Sequence, residues 1–172
     1  TDPALWAAWG HVGHSIRTGE NAFESLHGID VWAHRQRQPE HNAIFNANMA
    51  ALSARYADSI ATAYDFSRLA TVVDVGGGLG VLLDAVLTHH AHLTGTVFDQ
   101  PHVVGRHAPS QQESVETRWS AESGSFFDAV PAADCLLLKW ILHDWPDAQC
   151  TRILDACRAA LNQDGVVLVV ER

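Results

Sequence analysis

The stretch Thr71-Val72-Val73-Asp74-Val75-Gly76-Gly77-Gly78-Leu79-Gly80 constrains this chain more than any other. A β-branched run ends at closely spaced glycines, and a helix-like segment, Val81 to His89, follows at once. β-Branched side chains favour a pleated strand, and glycine supplies the backbone freedom for a tight strand-to-helix turn. The alternation continues downstream. Thr94–Asp99 reads as a short strand, a weaker strand falls near Val115–Ser120, and Ala133–Leu138 is an almost continuous apolar strand. Pro146 opens a helix carrying Ile153, Leu154, Cys157 and Leu161. Asn162–Gly165 is a turn, and Val166–Val170 is a final apolar strand. Strands that are apolar throughout and separated by helices belong to a parallel sheet covered on both faces.

The first part of the chain has a different texture. Residues 4–17 have helical spacing, with Leu5, Trp9, Val12 and Ile16 on one stripe. A polar break follows at Thr18-Gly19-Glu20, and Phe23, Leu26 and Trp32 anchor a mixed segment, 22–37. Pro39 suits the first turn of a helix. From there Phe45, Met49, Leu52, Tyr56, Ile60 and Tyr64 recur at steps of three or four, which marks one face of a single long helix. The expected organisation is a helical segment, 1–66, leading into a partial α/β domain, 67–172, built on a Rossmann-like, mostly parallel sheet that stops short at its C-terminal end. The 172 residues allow one domain, or one and a fraction.

Composition removes several function classes. With 47% apolar and 18% charged residues the chain can bury a core. Its net charge is −9, from 20 acids against 11 bases, with Lys139 the sole lysine, so nucleic acid is not an expected partner. No apolar run approaches the roughly 18 residues of a membrane span, so no membrane partner is expected. Cys135, Cys150 and Cys157 are an odd set in apolar segments and read as reduced, buried thiols of a cytoplasmic protein. No metal site is expected. CxxC is absent, and His89, His90 and His92 read as solvated residues at a helix end.

The spacing of the glycines narrows the ligand. A dinucleotide fingerprint, GxGxxG, counted from Gly76 and Gly78 needs glycine at 81, and position 81 is Val. An acid followed by glycines at every second position, from Asp74 to Gly80, suits an ammonium and a carboxylate beside a nucleoside. S-adenosylmethionine is such a ligand. Asp99 ends the second strand 19 residues after Gly80, where a carboxylate can accept two hydrogen bonds from ribose hydroxyls. Past the end of the strand Ala133–Leu138 stands His143. A histidine with a pKa near 6.5 is largely neutral at pH 7 and can take the proton of a hydroxyl as its oxygen attacks an electrophilic methyl. Its other nitrogen needs an orienting acceptor. Glu171, after the last strand, and Asp144, its sequence neighbour, are both candidates.

VVDVGGGLG (72–80), TVFDQPHVV (96–104), GSFFDAVP (124–131), LLLKWILHDWPD (136–147) and VVLVVER (166–172) resemble the S-adenosylmethionine-dependent O-methyltransferases of the caffeic-acid and acetylserotonin type, in their bacterial natural-product form. TGENAFE (18–24) and FNANMAALS (45–53) fit the same pattern. The resemblance implies methyl transfer to a hydroxyl of a small aromatic molecule in a homodimeric full-length protein. It implies that Gly76 and Gly78 lie under the cofactor, that Asp99 holds the ribose and that Phe126 flanks the adenine. Ser125, Lys139 and Ser53 would border the cofactor. His143 would be the general base, steadied by Glu171, and Phe45, Asn46, Met49 and Asp144 would line the acceptor pocket. Two departures stand out. The family usually carries Asp where this chain has Ser125, which offers a hydrogen bond but no charge. Family members also begin with a winged-helix dimerisation domain and continue past the fifth strand, so this chain resembles an interior piece. A cofactor-binding protein without methylation is the competing expectation, and a nicotinamide-dependent oxidoreductase a weaker one.

Overall fold

The computed structural model describes residues 2–104 and 113–171. The chain forms two compact units, 1–45 and 46–172. The first contains α1 (Pro3–Gly10), α2 (Val12–Thr18), α3 (Ala22–His27), α4 (Val31–Arg37) and the opening turns of α5 (Pro39–Ala54). Three of these short helices start on an Asx cap. Asp2 accepts from Ala4 N–H, Asn21 from Phe23 and Glu24, and Asp30 from Trp32 and Ala33. The helix expected over 4–17 is broken at His11, whose N–H turns back to the carbonyls of Ala7 and Ala8. Its stripe is not a core face either. Ala8 and Phe23 are buried, whereas Trp6, Trp9, Val12 and Ile16 are exposed.

The second unit holds the rest of α5, then α6 (Ala57–Ala63), β1 (Thr71–Val75), α7 (Val81–His89), β2 (Thr94–Asp99), α8 (Pro101–Val104), α9 (Glu113–Glu116), β3 (Trp119–Ser123), β4 (Ala133–Lys139), a 3-10 turn at Leu142–Asp144, α10 (Asp147–Ala160) and β5 (Leu161–Val170). The strands lie in the order β3-β2-β1-β4-β5 and every pairing is parallel. Strand order reverses direction between β1 and β4, and a crevice opens at the carboxyl ends beside such a switch point. The sheet is covered on both faces, as its apolar strands require. Val72, Val97, Cys135 and Leu137 pack on one side with Leu82, Leu83, Val86 and Leu87 of α7. Val73, Val75, Leu136 and Leu138 pack on the other with Ile153 and Cys157 of α10. Each fully buried Leu, Val or Ile contributes roughly 1.5–3 kcal/mol of transfer free energy.

Five further expectations are corrected here. The single helix over 39–64 is two, because the N–H groups of Arg55 and Tyr56 bond three residues back and tighten the turn. The break lets the small buried pair Ala57 and Ala61 face the core while Tyr56 and Tyr64 stay outside. The third strand is Trp119–Ser123, not Val115–Ser120. Its register is set by pairing with β2 from Gly95 to Asp99, and by the Arg118 guanidinium, which donates to the carbonyls of Leu87, His90 and Leu93. Asn162–Gly165 is an irregularity inside β5 rather than a turn before it. Ala133 pairs with Leu161 and Cys135 with Val166, and Asp164 takes a left-handed φ of 63°. Cys150 is only half-buried, whereas burial raises the thiol pKa of Cys135 to about 12 and of Cys157 to about 11. His89, His90 and His92 do not simply meet solvent. They bond to Asp58, the Ala61 carbonyl and the Phe66 carbonyl, tying α7 and the loop after it to α6 and its following turn. Among the described residues no helix is long and apolar enough to cross a membrane.

Candidate active site

The turn after β1 is built on backbone that side chains would obstruct. Gly76, Gly78 and Gly80 have φ of 69°, 60° and 75°, in the left-handed region. A Cβ at Gly76 would collide with the Ile141 side chain and lie 3.8 Å from the Phe126 ring, whereas one at Gly78 would meet nothing within 4 Å. Gly76 is therefore a floor closed by Ile141 and Phe126, and Gly78 borders open space. Gly77 covers Asp74: a Cβ there would lie 2.8 Å from the carboxyl carbon. Asp74 is 2% exposed. Burial raises its pKa to about 7, with a smaller push from Asp99, against the pull of Lys139 and the Leu83 N–H.

Asp99, at the end of β2, faces the same turn. One oxygen accepts from Gly78 N–H at 2.9 Å and the other from Gln100 N–H at 2.7 Å. Burial raises its pKa, while these two N–H groups and His102 oppose the shift. A carboxylate offers about four lone-pair sites, so two remain for hydroxyls of a ligand. Phe126 is half-buried and packs on Phe127 and Trp145 at centroid distances of 4.9 and 6.0 Å. The Ser125 hydroxyl accepts from the Phe127 N–H at 3.3 Å, so it serves the local turn. Lys139, at the end of β4, sets its ammonium 3.6 Å from the centre of the Trp140 ring.

His143 sits in the 3-10 turn that follows β4. Of the two candidate acceptors, Glu171 takes the orienting position. Its Oε2 is 2.5 Å from His143 Nδ1, and its Oε1 accepts from the N–H groups of Ile141 and Leu142 at 3.1 and 3.0 Å. A carboxylate only accepts, so Nδ1 carries the hydrogen and the lone pair of the neutral ring lies on Nε2. Asp144 Oδ1 stands 3.6 Å from Nε2, too far for a hydrogen bond. The structure thus brings Gly76, Gly78, Asp99, Phe126, Lys139, His143, Asp144 and Glu171 to the carboxyl edge of one sheet. Ser53, Asn46 and Met49 lie on α5, the first two buried, and no hydrogen bond engages Asn46 Nδ2. Phe45 belongs to the first unit, where its ring meets Trp32 and the Arg35 guanidinium.

Three residues join the site that carried no sequence signal of their own, two within 136–147 and one just beyond it. Trp140 is buried with a φ of 58°, rare for a bulky residue, and its N–H donates to the Val170 carbonyl. Ile141 closes the glycine floor. Cys150, in the first turn of α10, donates to the carbonyls of Leu142 and Trp145 and so straps the histidine turn at both sides.

Comparison with known proteins gives the family and the fold. The model of the O-methyltransferase domain family matches residues 9–172. O-methyltransferase SfmM3 of Streptomyces lavendulae is 38% identical over 167 residues, 96% of this chain and 50% of its own length. Among solved structures, the O-methyltransferase NcsB1 from neocarzinostatin biosynthesis, in complex with S-adenosyl-L-homocysteine and 1,4-dihydroxy-2-naphthoic acid, superposes with a TM-score of 0.84 at 35% identity. That match covers 95% of this chain and 50% of NcsB1. Human N-acetylserotonin methyltransferase, in complex with SAM, gives 0.83 at 29% identity over 94% of this chain and 48% of its own. The chain spans about half the length of the curated relatives it matches. The strand order, the glycine turn and the family match together make this chain a member of the O-methyltransferase domain family.

Proposed function

We propose that the protein carrying this chain transfers a methyl group from S-adenosylmethionine to a hydroxyl of a small aromatic molecule, with His143 as general base. The observation that carries the reading is the Glu171–His143 pair beside the glycine turn. The residues present fit the cofactor: open space beside Gly78, where a Cβ would meet nothing within 4 Å, and an aspartate with lone pairs to spare for ribose hydroxyls. Gly76 and Gly78 would pass beneath it, Asp99 would hold its sugar and Phe126 its base. When bound, S-adenosylmethionine supplies an electrophilic methyl on a sulfonium leaving group.

This chain's own residues supply position and proton transfer. His143 Nε2 would take the proton of the acceptor hydroxyl, leaving that oxygen able to attack the electrophilic methyl that the bound cofactor would supply. Glu171 keeps the tautomer that leaves Nε2 basic, and its carboxylate stabilises the imidazolium so formed. Asn46 and Met49 on α5 are assigned to the acceptor pocket, where the unengaged Asn46 amide is ready to hydrogen-bond a ring substituent. NcsB1 was solved with a dihydroxynaphthoic acid, a flat acceptor of the class proposed here.

The Ser125 hydroxyl accepts from the Phe127 N–H and carries no charge, an observation that favours the second reading, a cofactor-binding protein without methyl transfer. Calorimetric titration with S-adenosylmethionine beside a methylation assay on a panel of phenols and naphthols tests both. Binding with transfer supports the proposal. Binding without transfer to any phenol supports the second reading, and no binding sinks both.

A further inference from the structure

We infer that Asp2, His34 and His41 form a binding site for a single divalent transition-metal ion of the zinc class, within the first compact unit and separate from the methyl-transfer site. Sequence spacing does not suggest it, because the three residues span 40 positions and match no ligand motif. The fold gathers them from the cap of α1, the middle of α4 and the first turn of α5. Asp2 uses its Oδ1 to cap α1 and turns Oδ2 toward both rings, 3.0 Å from His34 Nε2 and 3.4 Å from His41 Nδ1. Tetrahedral zinc with bonds of about 2.0–2.1 Å holds its ligand atoms roughly 3.3–3.4 Å apart. Two edges of such a polyhedron are therefore close to the required length. All three ligand atoms lie within 4.8 Å of one another. The remaining edge closes by rotation of the His41 ring, the most exposed of the three side chains.

The second observation is the state of His41 Nδ1. It is shut off from solvent and takes part in no hydrogen bond. Most buried ring nitrogens are hydrogen-bonded, and this one stands 3.4 Å from Asp2 Oδ2 without forming a hydrogen bond. A cation between the two gives both atoms a partner. Two imidazoles and one carboxylate are the borderline-soft set that zinc and cobalt(II) prefer over magnesium or calcium. The His34 ring is already held, edge-on to Phe23 at 5.3 Å and stacked on His27 at 6.4 Å. Water or a side chain outside the set completes the coordination. The ion would cross-link α1, α4 and α5 of this unit.

The test uses the full chain, stripped with chelator and titrated with cobalt(II), then zinc. One equivalent of cobalt is expected, with visible d–d bands of a four- or five-coordinate ion that zinc abolishes. His34→Gln and His41→Ala should each weaken zinc binding by at least about a hundredfold, since even supporting residues around a metal cost 10–100-fold. His14→Ala, which removes the ring paired with Glu20, is the control and should leave affinity unchanged. Far-UV circular dichroism checks that the variants fold. In the unmutated chain, the ring-nitrogen resonances of His34 and His41 should shift on adding one equivalent of zinc. Non-stoichiometric binding, affinity indifferent to both substitutions, or unmoved His34 and His41 resonances would overturn the site and leave Asp2 as a hydrogen-bonded cap only.

Discussion

Glu171 has no spare oxygen at the site: one fixes His143 and the other takes two backbone N–H groups of the same turn. That arrangement separates chemistry from binding and sets the first prediction. His143→Ala should lower kcat by roughly 10²–10⁴-fold, the range for a lost general base, while the Kd for S-adenosylmethionine stays within about twofold by calorimetry. Unchanged turnover would remove His143 from its role. Gly78 offers a second test. An added methyl meets no neighbour, so Gly78→Ala isolates the cost of a left-handed φ of 60°, about 1–2 kcal/mol for a non-glycine residue. The expected readout is a lower Tm by thermal melt, with weaker cofactor binding by calorimetry if Gly78 lies under the cofactor. Both residues were legible in the sequence, because a glycine turn and a histidine past a strand end announce their chemistry. Trp140 was not. Nothing in a tryptophan's side chain favours its φ of 58°, and the pairing of its N–H with Val170 holds it there.

At the scale of elements, the start of the sheet is tied by one carboxylate. Asp134 Oδ2 accepts from Ala70 and Thr71 N–H at 2.8 and 2.9 Å, and Oδ1 accepts from the Asn162 amide at 2.8 Å. The Asn162 bond and the Ala70 N–H lead in holding its pKa below the ordinary carboxylate value, outweighing partial burial. A depressed folded pKa stabilises above the unfolded pKa near 3.8, and this contribution is lost as pH falls through the folded value. Asp134→Ala should therefore lower Tm at neutral pH, by about 1–3 kcal/mol in unfolding free energy, and the deficit should shrink in acid. Scanning calorimetry at pH 7 and pH 3 checks both. The Asn162 link also shows why a turn expected from Asn-Gln-Asp-Gly became an irregularity within β5. Those residues read locally as a turn, but pairing to β4 continues on either side of them and absorbs them as a bulge. Cys150 acts on the same scale. Cys150→Ala should lower kcat a few-fold with Tm little changed, because a thiol is a weak donor and its two acceptors flank His143.

For the molecule as a whole, an electrostatic liability sits at Asp74, enclosed under the glycine turn with Asp99 nearby. Burial is the main cause of its rise to about 7. A folded pKa above the unfolded 3.8 stabilises while the group is protonated, and the advantage fades as pH rises toward 7. Asp74→Asn should flatten the decline of Tm across pH 4 to 7, as read by thermal melts. An unaltered slope would place the liability elsewhere. The sequence alone determined the parallel α/β class, the order of strands along the chain, the glycine turn and the place of His143 past a strand end, because burial on both faces and the needs of a strand-end site write themselves into local composition; it left Glu171 and Asp144 both open as the partner of that histidine, and the fold chose Glu171. It did not determine where helices break, which residues of α1 and α2 stay outside, how β3 and β5 align, or that Asp2 meets His34 and His41. Those were decided by the tertiary structure, since they depend on which surfaces meet across long stretches of chain, and local propensity is indifferent to such partners.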